Sequence, residues 1–235
     1  GALPGSVVTL AVSLVALSSF QSLPAPPTDN HSVVVPKFEM RHTWMSFPRT
    51  AVDGSALPDV KLEFYFGLDG ISILLVVLTA LLTVSAVLIS WETIKDRATE
   101  FYACLLVLET GLLGAFTAFD LLLFYVFFEF TLIPLFLLVG IWGGSDRKFA
   151  AGKFFIYTLS GSLITLIGLV SLSTWVIGNL NLATPFSIPD LSHALSLHPI
   201  PTSLQVSLFL MLSAGFVIKV PLFPFHSWLP LAHVE

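Results

Sequence analysis

Three ionisable side chains sit inside stretches that are otherwise almost wholly apolar. Glu109 lies in YACLLVLETGLLGAF, Glu129 in FDLLLFYVFFEFTLIPLFLLVG, and Lys219 in LQVSLFLMLSAGFVIKVPLFPFHSWLP at residues 204–230. An apolar run of roughly 17–20 residues is long enough to cross a bilayer, and a charged group at the centre of such a run costs about 2.5–3.5 kcal/mol on insertion scales. A side chain kept there at that cost marks a functional site by default. Without a partner in low dielectric, a carboxylate or an ammonium is pushed toward its neutral form. An opposite charge nearby restores the charged one. A Glu–Lys pair is then a two-state device: paired, the lysine holds its proton; separated, it tends to release it. Proton or ion movement is the chemistry these residue types can perform.

Lys219 is followed at once by Pro221 and Pro224. Proline removes a backbone donor and clashes with the carbonyl four residues back, so the helix carrying Lys219 is expected to break between Lys219 and Pro221. Such a break in hydrocarbon is tolerated only where the freed carbonyls face protein or water. Glu129 stands about nine residues, or about 13 Å, from the start of its helix, and Lys219 about fifteen residues, or about 22 Å, from the start of its own. Both are deep, and a bent helix could bring them within reach. The static alternative is a fixed ion pair that sets helix register. Glu109 has two readings, a proton carrier or a hydrogen-bonded interhelical group. Lys153 is read as an interfacial snorkelling lysine or as a relay member. His226, just after the break, is either structural or proton-handling, and shares a face with His233 if a helix resumes. Asp69 and Asp120 are placed to cap helices or to solvate turns.

The elements that must hold these residues are transmembrane helices. Of 235 residues, 55% are hydrophobic and only 11% charged, where a soluble domain carries roughly 25% charged residues. The expected fold class is all-α, a polytopic transmembrane bundle of about six spans plus a stub. Residues 1–20 form a first helix, 21–66 a long polar loop rich in proline (Pro24, Pro26, Pro27, Pro36, Pro48 and Pro58), and 67–235 the main membrane domain. A signal peptide is the rival reading of the first segment, but a basic leading region and a small-residue cleavage site are missing. Within the main domain, spans are expected over 67–91, 101–119, 121–142 and 150–177, and the broken one over 204–230. Gly152, Ser160, Gly161, Ser162 and Gly168 would let the fifth helix approach a neighbour closely. Lys95, Arg97, Arg147 and Lys148 fall in two short links on one side. The positive-inside rule makes that side the cytoplasm or matrix, with Gly1 on it.

Other function classes lack their residues. There is no basic stripe for nucleic acid, and no Walker loop or G-x-G-x-x-G unit stands out. Cys104 is the single cysteine, so no intrachain disulfide or cysteine-ligated iron–sulfur cluster is expected. No metal site and no cofactor are expected in the chain.

Four blocks carry a resemblance: FGLDGISILLVVLTALL at 66–82, FDLLLFYVFFEFTLIPLFLLVGIWGG at 119–144, RKFAAGKFFIYTLSGS at 147–162 and KVPLFPFHSWLPLAHVE at 219–235. Together they resemble the antiporter-like membrane subunits of respiratory complex I, closest to the subunit 4 (bacterial M) branch. The similarity covers about residues 64–235, and the first 63 residues match only in hydropathy. That resemblance implies a fourteen-helix fold with two inverted five-helix repeats, and a proton-translocating role in NADH:ubiquinone oxidoreductase. It implies Glu129 and Lys219 as the central proton-transfer pair and Glu109 as the glutamate of the preceding helix. It places flavin, iron–sulfur clusters and ubiquinone elsewhere in the complex. The implied partners are neighbouring membrane-arm subunits, including other antiporter-like ones, and lipids. Six spans against fourteen imply a fragment lacking the family's first helix and later half, completed by a second chain in a mitochondrial inner membrane or a bacterial plasma membrane. Two readings compete: a cation/proton antiporter subunit of the Mrp type, and a structural membrane scaffold.

Overall fold

The computed structural model describes residues 2–22, 36–51 and 53–234; Gly1 and the prolines at 24–27 lie outside them. Nine helices and one hairpin are described. In chain order they are α1 (Ala2–Ser22), β1 (Lys37–Thr50), β2 (Ala56–Leu68), α2 (Ser72–Thr93), α3 (Ala98–Thr117), α4 (Leu121–Phe130), α5 (Leu132–Trp142), α6 (Arg147–Leu180), α7 (Ile188–Leu197), α8 (Thr202–Lys219) and α9 (Leu229–Val234). Six segments are long and apolar enough to span a bilayer: α1, α2, α3, α4 with α5, α6 and α8. This is a multi-pass helical membrane protein.

The region expected as an irregular loop contains structure. Its described part pairs as an antiparallel hairpin, with Met40 opposite Phe66 and Phe47 opposite Val60, and shifts in register after Lys37, Thr43 and Phe47. Asp53 and Gly54 make the turn. Gly54 takes φ +83°, a conformation that glycine enters without steric cost.

Helix starts follow from short polar side chains. The Asp69 carboxylate accepts from the backbone N–H of Ile71 at 3.0 Å and Ser72 at 2.6 Å, while Ser72 Oγ accepts from the Asp69 N–H at 2.8 Å. Asp120 Oδ1 accepts from Leu122 and Leu123 N–H, each at 2.9 Å. Each pairing satisfies donors that a helix start leaves open, so both aspartates act as the caps their positions suggested.

The two ends of the bundle differ. At one, the turn between α3 and α4 is threaded through other strands of chain: Phe119 N–H donates to Tyr65 O at 2.8 Å, Leu121 N–H to Phe186 O at 2.8 Å, and Ile188 N–H to Phe119 O at 2.9 Å. Arg41 of β1 adds a bridge to Glu63 at 2.7 Å and to Asp190 of α7 at 2.5 Å. Burial drives the Asp120 carboxyl up to about 6, against the pull of its two backbone donors. At the other end the two basic links meet. Trp142 Nε1 donates to Asp96 O at 2.9 Å and the Trp142 ring packs on Phe101.

Between the ends, α6 lies along α8 on the small residues of both. A methyl at Gly168 would come within 2.8 Å of Met211 Cβ, and one at Gly215 within 2.7 Å of Thr165 Oγ1. Gly161, Ser162 and Gly168 serve this contact as expected, whereas Gly152 faces open space and Ser160 is exposed.

Candidate functional site

The expected break after Lys219 is present, and a second one faces it. Pro221 cannot donate, and Leu222 N–H reaches back five residues to Val217 O at 2.9 Å. That skips the Ile218 carbonyl, which would be a buried acceptor without a donor. The indole of Trp228 supplies one, Nε1 donating to Ile218 O at 3.0 Å. Trp228 is 6% exposed and its ring packs on Phe154 of α6, with Leu132 of α5 in the same cluster. The segment after the break is thereby pinned to the bundle.

The fourth span, expected as one helix, is divided at Thr131 into α4 and α5. Pro134 explains this, since it withholds an N–H from Phe130 O and crowds it. The Thr131 hydroxyl folds back to donate to Phe128 O at 2.8 Å.

Lys219 comes to rest on this second break. Its amine donates to Phe128 O at 3.0 Å and to Thr131 Oγ1 at 3.3 Å, and Nζ stands 3.4 Å from the centre of the Phe128 ring. Glu129 is close enough for its charge to act on Lys219. Among the described residues, however, the amine reaches no carboxylate at ion-pair distance. The Glu129 carboxylate neighbours Ser162 of α6 and Tyr125, and the Ser162 hydroxyl itself donates to Leu159 O at 3.0 Å. Glu129 and Lys219 are thus brought together as neighbours whose charges interact, with neutral acceptors holding the amine. Chemically the arrangement can keep a proton on the amine while a carboxylate stands by to exchange partners with those acceptors.

The other expected residues sit apart. Glu109 is 4% exposed, and its Oε1 has no hydrogen-bond partner among the described residues. It borders a pocket of about 190 Å³ between α2 and α3, whose polar side chains Thr79 and Thr83 donate to carbonyls of their own helix. No residue of α4 or α8 lines that pocket. Lys153 donates to Ser227 O at 3.1 Å, and Ser227 Oγ donates to the Tyr157 hydroxyl at 3.2 Å. It therefore grips the segment after the break. His226 is exposed, its ring against Phe223, and because α9 begins only at Leu229 it does not share a helix with His233. Thr131, Trp228 and Tyr157 were not singled out by sequence reasoning, and Ser162 was named only as a small residue for helix packing. Pro134 was the available signal for Thr131, and an indole placed soon after a double-proline break was the signal for Trp228.

A family model described as the NADH:quinone oxidoreductase/Mrp antiporter transmembrane family matches residues 118–235. Subunit M of the NADH-quinone oxidoreductase of Rickettsia typhi is 37% identical over 235 residues, which is 100% of this chain and 41% of that protein. The subunit M of Rhodobacter capsulatus is 38% identical over 238 residues, again 100% of this chain and 41% of its own. In Chondrus crispus, NADH-ubiquinone oxidoreductase chain 4 is 41% identical over 179 residues, covering 76% of this chain and 34% of that one. Among solved structures, respiratory complex I from Thermus thermophilus with bound NADH holds a chain that superposes with a TM-score of 0.70 at 31% identity, over 99% of this chain and 42% of that one. The archaeal membrane-bound sulfane sulfur reductase superposes at 0.69 and 20% identity, over 98% of this chain and 32% of its own, a likeness of fold. The chain therefore spans about two fifths of the length of the subunit M relatives. These alignments also run through the first 63 residues, where only hydropathy had been expected to match.

Proposed function

The chain belongs to the NADH:quinone oxidoreductase/Mrp antiporter transmembrane family, and from that membership we propose that it is part of a proton-translocating membrane-arm subunit of an NADH:quinone oxidoreductase. The observation that carries this reading is the Lys219 amine: it sits between two broken helices on neutral acceptors, with the Glu129 carboxylate within electrostatic reach. A cation so placed exchanges partners cheaply, because neither arrangement leaves it bare in low dielectric.

In this reading Glu129 and Lys219 transfer the proton, and Glu109, with its unpartnered oxygen in a pocket, takes protons from a separate path. Lys153 and His226 stand on the side where the broken helix opens toward the basic links. Redox chemistry belongs to flavin, iron–sulfur clusters and quinone held by other subunits, and this chain would be one part of that enzyme. Its partners would be the neighbouring membrane-arm subunits. An energy-coupling membrane is the setting, the mitochondrial inner membrane or a bacterial plasma membrane. Relatives aligned over the whole chain carry the NADH-quinone oxidoreductase name, which favours this reading over an Mrp-type antiporter.

The test uses membranes containing the assembled complex. Lys219→Met and Glu129→Gln should each lower NADH-driven proton translocation by roughly tenfold or more, in line with loss of a proton-carrying group, while subunit assembly persists. Translocation at the wild-type level in both would leave the scaffold reading. Co-purification of flavin- and iron–sulfur-bearing subunits supports the oxidoreductase; a complex without them supports the antiporter.

A further inference from the structure

We propose that the break between α4 and α5 is a docking station for the Lys219 ammonium, with Thr131 as its positioning residue. This rests on the reading of Lys219 as a proton carrier. Three groups converge on the amine from one short segment: the Phe128 carbonyl at 3.0 Å, Thr131 Oγ1 at 3.3 Å and the face of the Phe128 ring at 3.4 Å. Each attracts a cation more than a neutral amine. The hydroxyl of Thr131 has one proton, and it is given to Phe128 O at 2.8 Å. Its lone pairs are therefore turned toward Lys219. An ammonium has three donors; two are engaged here, and the third remains for a partner that comes and goes.

The dock exists because the helix is broken. In an unbroken span the carbonyl of residue 128 would accept from the N–H four residues on, along the helix axis, and be less open to the amine. The break is held in place by α3: a methyl at Gly111 would come within 2.9 Å of Thr131 Cγ2 and 3.2 Å of Phe130 Cδ1. Among the described residues the amine makes no ion pair with Glu129, its partners being Phe128 O and Thr131 Oγ1. The station thus holds the cation in its separated state, off the carboxylate yet not exposed to hydrocarbon. Translocation then requires the amine to leave this dock for Glu129, so the strength of the dock sets how often the exchange occurs.

Paired substitutions at Thr131 separate docking from packing. Thr131→Val keeps the branched shape against Gly111 and loses the hydroxyl, whereas Thr131→Ser keeps the hydroxyl and loses the methyl. In membranes with the assembled complex, protons translocated per NADH oxidised are measured for both, beside Lys219→Met. Thr131→Val should lower translocation roughly tenfold and Thr131→Ser less than about twofold, the scale of one hydrogen bond to a charged group. Wild-type translocation in Thr131→Val overturns the dock, as does a Ser variant worse than the Val variant, which would make the methyl contact the important one. If Lys219→Met itself translocates normally, the proposed function fails and the dock with it. Loss in Lys219→Met alongside a normal Thr131→Val removes only the dock.

Discussion

At the scale of single residues, the Asp120 carboxylate that caps α4 makes stability depend on pH. Burial raises this carboxyl to about 6, so the folded chain binds that proton more tightly than the unfolded chain, whose carboxyl titrates near 3.8. Stability from this group is then fully present below the unfolded value and is lost as pH rises through about 6. Asparagine keeps an oxygen for the Leu122 and Leu123 N–H groups and removes the titration. Between pH 4 and pH 7 the Tm of the detergent-solubilised wild type should therefore fall relative to that of Asp120→Asn. Parallel curves would mean that the carboxylate titrates normally. Such a cap is readable in the sequence because an aspartate bonds to its own next residues. A carboxylate or an ammonium in an apolar run is likewise a local signal, so Glu109, Glu129 and Lys219 can be named from sequence. Thr131 and Trp228 gain their roles because two helices break side by side, a juxtaposition that only the fold creates.

At the scale of elements, length and hydropathy located all six spans, because the bilayer imposes both. The hairpin was hidden. The strand KFEMRHTWMSFPRT shows no steady alternation, and its register shifts three times against its partner. Its turn, with Asp53 and Gly54, was the one available sign. The division at Thr131 was also missed, since a proline in a membrane helix is often tolerated; here the break is what supplies a carbonyl to Lys219. A further consequence concerns the break after Lys219. Trp228→Phe keeps the ring on Phe154 but leaves the Ile218 carbonyl without its donor. An unsatisfied buried acceptor costs about 1–3 kcal/mol, and the variant should unfold correspondingly earlier in a detergent melt. Proton translocation should fall as well, because the segment that Lys153 and Trp228 hold would loosen beside Lys219. A variant with wild-type Tm would show that the indole N–H is dispensable.

At the scale of the whole molecule, the two ends of the bundle are chemically different, and the sequence already divided them. Lys95, Arg97, Arg147 and Lys148 fall in the links that the Trp142–Asp96 bond draws together. The hairpin, the α3–α4 turn and α7 are knotted at the opposite end through Tyr65, Phe119, Phe186 and Arg41. Thr202 opens α8 at the knotted end, so Lys219 and the break after it lie toward the basic end. A proton taken up from the basic side would then meet Lys153, Ser227 and Tyr157 before Lys219. Orientation is therefore a claim about the direction of transport, and it can be measured. The positive-inside rule assigns the basic end to the negative side of the membrane. In a Cys104→Ser background, Ser145→Cys in the basic link should react with a membrane-impermeant maleimide only from the cytoplasm or matrix. Ser55→Cys at the hairpin tip should react only from the opposite side. Both positions are exposed, so a reversed pattern would turn the molecule over and make the Lys153 side the exit. Labelling of both from one face would contradict an odd number of crossings separating the hairpin from that link, and hence the count of α2, α3 and α4–α5 as three separate spans.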